Sequence, residues 1–199
     1  MLCLFAFALL VQKSAPHEKL LRTEGIWILG EDGKAVKPFL WRRGLQTSGL
    51  TARSEFLLSV GDQRSNFAGH LFVIPLPGDT EKRKKSVCLS RAPIPIVPTA
   101  PVEKIIKQHF HLKSNPDFEG IAADPLHSDR YYAVIEMDGP YILEINWKKE
   151  RTEALIERIA QVQTPELSPW RGDTNYRFEG IVVSGPGPSL IIAYERGED

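Results

Sequence analysis

A chain of 199 residues has room for one domain or a little more, and for a real hydrophobic core. Its 25 Lys and Arg balance 25 Asp and Glu, so it lacks the basic excess of a nucleic-acid-binding surface. No apolar run reaches the ~18 residues of a membrane span, so neither nucleic acid nor stable membrane insertion is expected.

Leu2 to Val11 is an apolar run of signal-peptide length, although it has no basic start and Lys13 spoils the cleavage site. It reads as a weak export signal over residues 1–15, which places the protein in the periplasm or outside the cell; a buried N-terminal strand is the alternative. Removing it leaves Cys88 without Cys3, and no internal disulfide is then available. The main domain spans 20–199. Within it, Ile26–Leu29 and Val36–Trp41 flank a Glu-Asp-Gly-Lys turn and read as a hairpin. Lys82–Lys85 reads as an exposed loop. The four prolines between Arg91 and Pro101 predict an extended segment that is not a central strand. Val102, Ile105, Ile106, His109 and Phe110 have helical spacing, as do Leu155, Ile156, Ile159 and Val162; each segment is a short helix or an outer strand.

Three segments share a pattern: Thr47-Ser-Gly-Leu with Phe56–Asp62, Asp117-Phe-Glu-Gly-Ile with Tyr131–Glu136, and Phe178-Glu-Gly-Ile with Leu190–Arg196. Each reads as a β-hairpin, and the three together as an internal repeat. If Glu119 faces Glu136, the midpoint falls between His127 and Ser128. Pairing Glu179 with Glu195 gives Gly187, and Ser48 with Asp62 gives Glu55. All three midpoints land in turn-forming or polar stretches. The carboxylates then gather at one end of each hairpin, where opposed Cβ atoms lie roughly 4.5–5.5 Å apart. Such charges repel unless a cation, a basic group or a retained proton offsets them. A solvated strand end is the plainer alternative.

Tyr131–Ile135 and Leu190–Tyr194 are apolar on both faces, which predicts strands buried on both sides. Leu71–Leu76 and Tyr141–Trp147 fit as third strands. The expected fold is all-β: about three blades of a β-propeller.

The Asp-Phe-Glu-Gly-Ile-Ala pattern at 117–122, a turn, and an apolar strand ending in Glu136 resemble the phytase-like propeller family, the "esterase-like activity of phytase" domain. Ser48-Gly-Leu with Ser59-Val-Gly-Asp-Gln-Arg64 is similar to that family's opening blade. The resemblance covers roughly residues 45–199, the N-terminal half of a six-bladed propeller. It implies a Ca²⁺-dependent phosphoester hydrolase acting on a small phosphorylated molecule. Glu119, Glu136, Glu179, Glu195 and Asp62 are the candidate metal ligands, with Glu119 and Glu179 the catalytic candidates. Arg64 and Arg196 are candidate phosphate clamps, against a reading as plain surface arginines. A non-catalytic calcium-binding or ligand-binding scaffold and a lactone or ester hydrolase remain open beside it.

Other signatures are weaker. His109 and His111 fall short of the three or four ligands of a zinc site. The Pro186-Gly-Pro stretch lacks the Lys-Ser/Thr of a phosphate loop. No Gly-x-Ser-x-Gly elbow occurs.

Overall fold

The computed structural model describes residues 28–30, 47–62, 68–76, 86–88, 91–109, 116–137, 139–162, 176–185 and 189–196. The fold is all-β with one helix among these residues. The apolar, β-branched runs form the strands and turn residues separate them.

The first hairpin is β2 (Thr47–Ala52) with β3 (Phe56–Gly61), and β4 (His70–Pro75) adds antiparallel to β3. The second meander is β7 (Asp117–Ala123), β8 (Arg130–Met137), β9 (Gly139–Asn146) and β10 (Ala154–Gln161), each antiparallel to the next. The third unit is the β11 (Tyr176–Ser184) and β12 (Ser189–Arg196) hairpin. All three expected hairpins form, and β4 and β9 are the expected third strands. Leu155 and its neighbours lie in strand β10, whereas Val102, Ile105 and Ile106 lie in helix α1 (Ala100–His109). Val102 carries that helix into the core and Ile106 packs against it.

The proline-rich stretch departs from expectation. Ile94–Pro98 is strand β6, and it is central: the sheet order is β2-β3-β4-β6-β10-β9-β8-β7. The physical reason is a staggered use of its two sides. Ile94 and Pro95 pair with β4, while Ile96, Val97 and Pro98 pair in parallel with β10. The Ile96 N–H donates to the Gly69 carbonyl at 2.9 Å, and the Thr99 N–H, just past Pro98, donates to Ile156 at 3.0 Å. Neither ladder needs a donor from a proline.

Ile28–Gly30 forms β1, which pairs in parallel with β5 (Ser86–Cys88). The expected partner of β1 at Val36–Trp41 lies outside the described residues, as do residues 1–15, Lys82–Lys85 and His111.

The first and middle hairpins pack face to face. Leu58, Val60, Phe118, Ile121, Tyr131, Ala133 and Ile135 share one core with Trp147, whose indole meets Phe56 edge-on at 5.9 Å. Arg53, in the first hairpin's turn, spans the two turns. Its guanidinium donates to the carbonyls of Asp124 (2.8 Å), His127 (2.8 Å) and Arg130 (3.1 Å) and lies over the Tyr131 ring. Midway, the Ala123 N–H donates to Thr51 Oγ1 at 2.9 Å. The fork shape of guanidinium suits such a multi-carbonyl clamp.

Tyr131 to Ile135 is buried along its whole length, as its sequence predicts. The same expectation fails for β12. Ile191 is largely exposed, because nothing covers the outer face of this hairpin among the described residues.

Candidate metal centre

The site begins with a β-bulge. In β7, Phe118 pairs with Ile135 and Gly120 with Val134, so Glu119 is an extra residue. In β11, Phe178 pairs with Tyr194 and Gly180 with Ala193, so Glu179 is extra in the same way. In β2 the extra residue is Gly49, between the pairs Ser48–Val60 and Leu50–Ser59. A bulge bends its strand, sharpens the local twist and re-aims the extra side chain.

The bulges change the expected pairing. Glu119 does not face Glu136; Asp117 does. Arg177, not Glu179, faces Glu195, and Gly61 rather than Asp62 ends the first ladder, opposite Thr47. Each bulge adds one residue to a strand, so a midpoint that assumes an unbroken ladder misplaces the partner at the strand's open end.

The carboxylates nevertheless converge. Ligand oxygens of Asp117, Glu119 and Glu136 all lie within 4.8 Å of one another, and all three residues are half-buried. Burial is the first cause of a Glu119 pKa pushed up to about 8. The charges of Asp117, Glu136, Glu179 and Asp62 add to it, in that order. Glu119 is thus the electrostatic centre of five carboxylates drawn from three hairpins. Close packing of the hairpins makes this possible. A Cβ placed on Gly49 would sit 2.6 Å from the Gly120 Cα, and one on Gly120 would sit 2.9 Å from the Gly180 Cα. Only glycine allows backbones this near.

Of the residues singled out from sequence, Glu119, Glu136, Glu179 and Asp62 therefore bear on one locus. Glu195 and Arg196 fall on β12, but their side chains lie outside the described residues, and so does Arg64 entirely. Asp117 is the ligand candidate that the sequence reading missed. Its signal was its place two residues before Glu119 in the acidic motif, which on an unbulged strand puts both side chains on one face.

Oxygen donors of this kind suit Ca²⁺. Two oxygens bound to one such ion at about 2.3–2.6 Å can lie at most about 5 Å apart. The separations among Asp117, Glu119 and Glu136 meet that condition, so these three would supply three of the roughly six to eight oxygens such an ion takes.

A second polar cluster sits at the opposite, turn end of the middle hairpin. Buried Asp124 accepts from the Leu126 N–H at 2.8 Å and contacts His127 Nδ1 at 3.0 Å and Arg130 at 3.7 Å. Burial works to raise the Asp124 pKa, but the Leu126 N–H, His127 and Arg130 together hold it below the usual range. This cluster locks the turn that Arg53 grips.

Compared with protein-family models, curated proteins and solved structures, the chain has no significant match.

Proposed function

We propose that this chain is part of a phytase-like β-propeller, that its carboxylate rim holds Ca²⁺, and that the loaded site hydrolyses phosphoesters of a small exported-compartment substrate. The convergence of Asp62, Asp117, Glu119, Glu136 and Glu179 from three hairpins carries the reading. The three stacked hairpins support it: their inner strands β2, β7 and β11 lie side by side, as inner strands do around a propeller axis.

Asp117, Glu119 and Glu136 would hold the ion, with Glu179 and Asp62 adding negative potential from the flanking hairpins. Bound there, Ca²⁺ would supply Lewis-acid polarisation of a phosphoryl oxygen and would orient water. The chain's own contribution is Glu119. With a pKa near 8 it holds a proton at neutral pH, a proton that it would have to give up to serve as a ligand.

The test is turnover of a chromogenic phosphomonoester by EDTA-treated protein, with and without added Ca²⁺, in the parent and in Glu119→Gln and Glu179→Gln. Calcium-dependent turnover that both substitutions abolish supports the enzyme. Calcium binding without turnover of phosphate, lactone or carboxylic esters sinks catalysis and leaves a calcium-binding scaffold.

A further inference from the structure

The turn of the middle hairpin, at the end away from the carboxylate rim, contains the one Asp-Pro pair in the sequence, Asp124-Pro125. This pair has a chemistry of its own. Proline's peptide nitrogen belongs to a tertiary amide and leaves as a secondary amine. The aspartate carboxylate can close a succinic-anhydride ring onto its own carbonyl carbon, which makes it an intramolecular nucleophile.

The fold gathers around this bond what such a reaction needs. The Asp124 carbonyl oxygen accepts from Arg53 Nη1 at 2.8 Å. A cationic donor therefore already sits where negative charge develops when that carbonyl is attacked. An Asx turn folds the carboxylate back over Pro125, with Oδ1 accepting from the Leu126 N–H at 2.8 Å. Oδ2 lies 3.0 Å from His127 Nδ1 and 3.7 Å from Arg130. Asp124 keeps only 3% of its exposure, whereas Pro125, Leu126 and His127 are exposed. The nucleophile is thus desolvated, while water and the leaving nitrogen have open access. The charged groups around Asp124 are Arg53 from the first hairpin and His127 and Arg130 from its own. Glu144 of β9 engages Arg130 at 3.4 Å, and Asp129, the turn's other acid, lies 3.8 Å from Lys148.

We propose that the chain cleaves itself between Asp124 and Pro125. A carboxylate oxygen of Asp124 attacks the Asp124 carbonyl carbon, and the negative charge passes to the carbonyl oxygen beneath the Arg53 guanidinium. The bond from that carbon to the Pro125 nitrogen breaks. The nitrogen departs as a secondary amine, taking its proton from the imidazolium of His127. Water opens the cyclic anhydride to an α-carboxylate and a side-chain carboxylate on Asp124. Of the two protons this releases, one returns to His127 and one goes to the Pro125 amine. The ladder between β7 and β8 ends at the Ala123–Tyr131 pair, so the cut leaves it whole and the pieces stay paired. The new α-carboxylate meets Arg53 in a charge-assisted contact where a neutral carbonyl stood before. This inference is independent of the cation reading.

Intact-mass measurement of the full chain, incubated at about pH 5 where imidazoles carry a proton, tests it. Two pieces are expected, residues 1–124 and 125–199, separating only under denaturing conditions. Asp-Pro bonds also break slowly in acid without any fold, so the same chain is followed in urea at the same pH. The folded chain should be cut at least about tenfold faster, because the fold holds the reacting groups together. Asp124→Asn removes the nucleophile and should abolish the cut. His127→Gln changes an exposed side chain, so it should keep the fold by circular dichroism. It should slow the cut by about tenfold or more, since a positioned general acid contributes about 10²–10⁴-fold. A parent chain that stays intact overturns the proposal. So does a cut that is as fast in urea, or one that proceeds at the parent rate in His127→Gln.

Discussion

Gly49 and Gly120 meet backbone to backbone, at a distance that leaves no room for a methyl group on Gly49. This contact joins the first hairpin to the middle one beside the carboxylates, and Gly120 repeats it on Gly180. The acidic locus depends on this spacing, because hairpins held further apart would not bring Asp62 and Glu179 to bear on Glu119.

A graded glycine series follows. Gly49→Ala places a methyl 2.6 Å from the Gly120 Cα at a φ of +64°. Overpacking costs roughly 1–3 kcal/mol, and a left-handed φ adds about 1 kcal/mol for a residue with a Cβ. Gly120→Ala carries the overpacking cost alone. Gly180→Ala is close to neutral in the monomer, because its nearest neighbour is 3.9 Å away. Urea unfolding of the dilute variants should rank them in that order.

Arg53→Ala removes three hydrogen bonds to the carbonyls of the middle hairpin's turn and a contact with Tyr131. At roughly 0.5–1.5 kcal/mol each, the loss is about 2–4 kcal/mol. Arg53→Lys should recover little of it, since an ammonium cannot reach several carbonyls as a planar fork does. Thermal melts of the two variants should be nearly superimposable and well below the parent.

The pH dependence of stability has two opposing parts. Glu119 has a folded-state pKa of about 8 against 4.5 for the free side chain, so the folded state keeps a proton that the unfolded state loses. Its contribution is complete below about pH 4.5 and declines as pH rises to about 8. Asp124 is depressed below 3.8, so its contribution is present above that value and is lost as pH falls through the folded-state pKa. Unfolding free energies across this range should show a decline on the alkaline side that Glu119→Gln flattens. The acid-side loss should persist in that variant and vanish in Asp124→Asn.

The strands were legible because their apolar runs are short, β-branched and separated by Pro, Gly and Asp. Three hairpins and their third strands follow from that alone. The bulges were not legible: nothing local to Phe118-Glu-Gly marks Glu119 as the extra residue, and only the neighbouring glycine backbones show why the strand bends there. The carboxylate cluster was therefore expected in the right place with the wrong partners, and Asp117 was overlooked. The Pro95 and Pro98 strand failed for a different reason. A proline excludes one donor and not a whole strand, and the stagger that spares those donors is a property of the assembled sheet.

Whether Asp117, Glu119 and Glu136 hold a cation is decided by calorimetric titration of Ca²⁺ into EDTA-treated protein at about pH 8, where Glu119 is about half ionised. One saturable site per chain is expected, accompanied by proton release that shrinks as pH rises further. Glu119→Gln should weaken binding by about tenfold or more, which corresponds to ~1.4 kcal/mol. Absence of a binding heat, or equal affinity in the parent and Glu119→Gln, would contradict it.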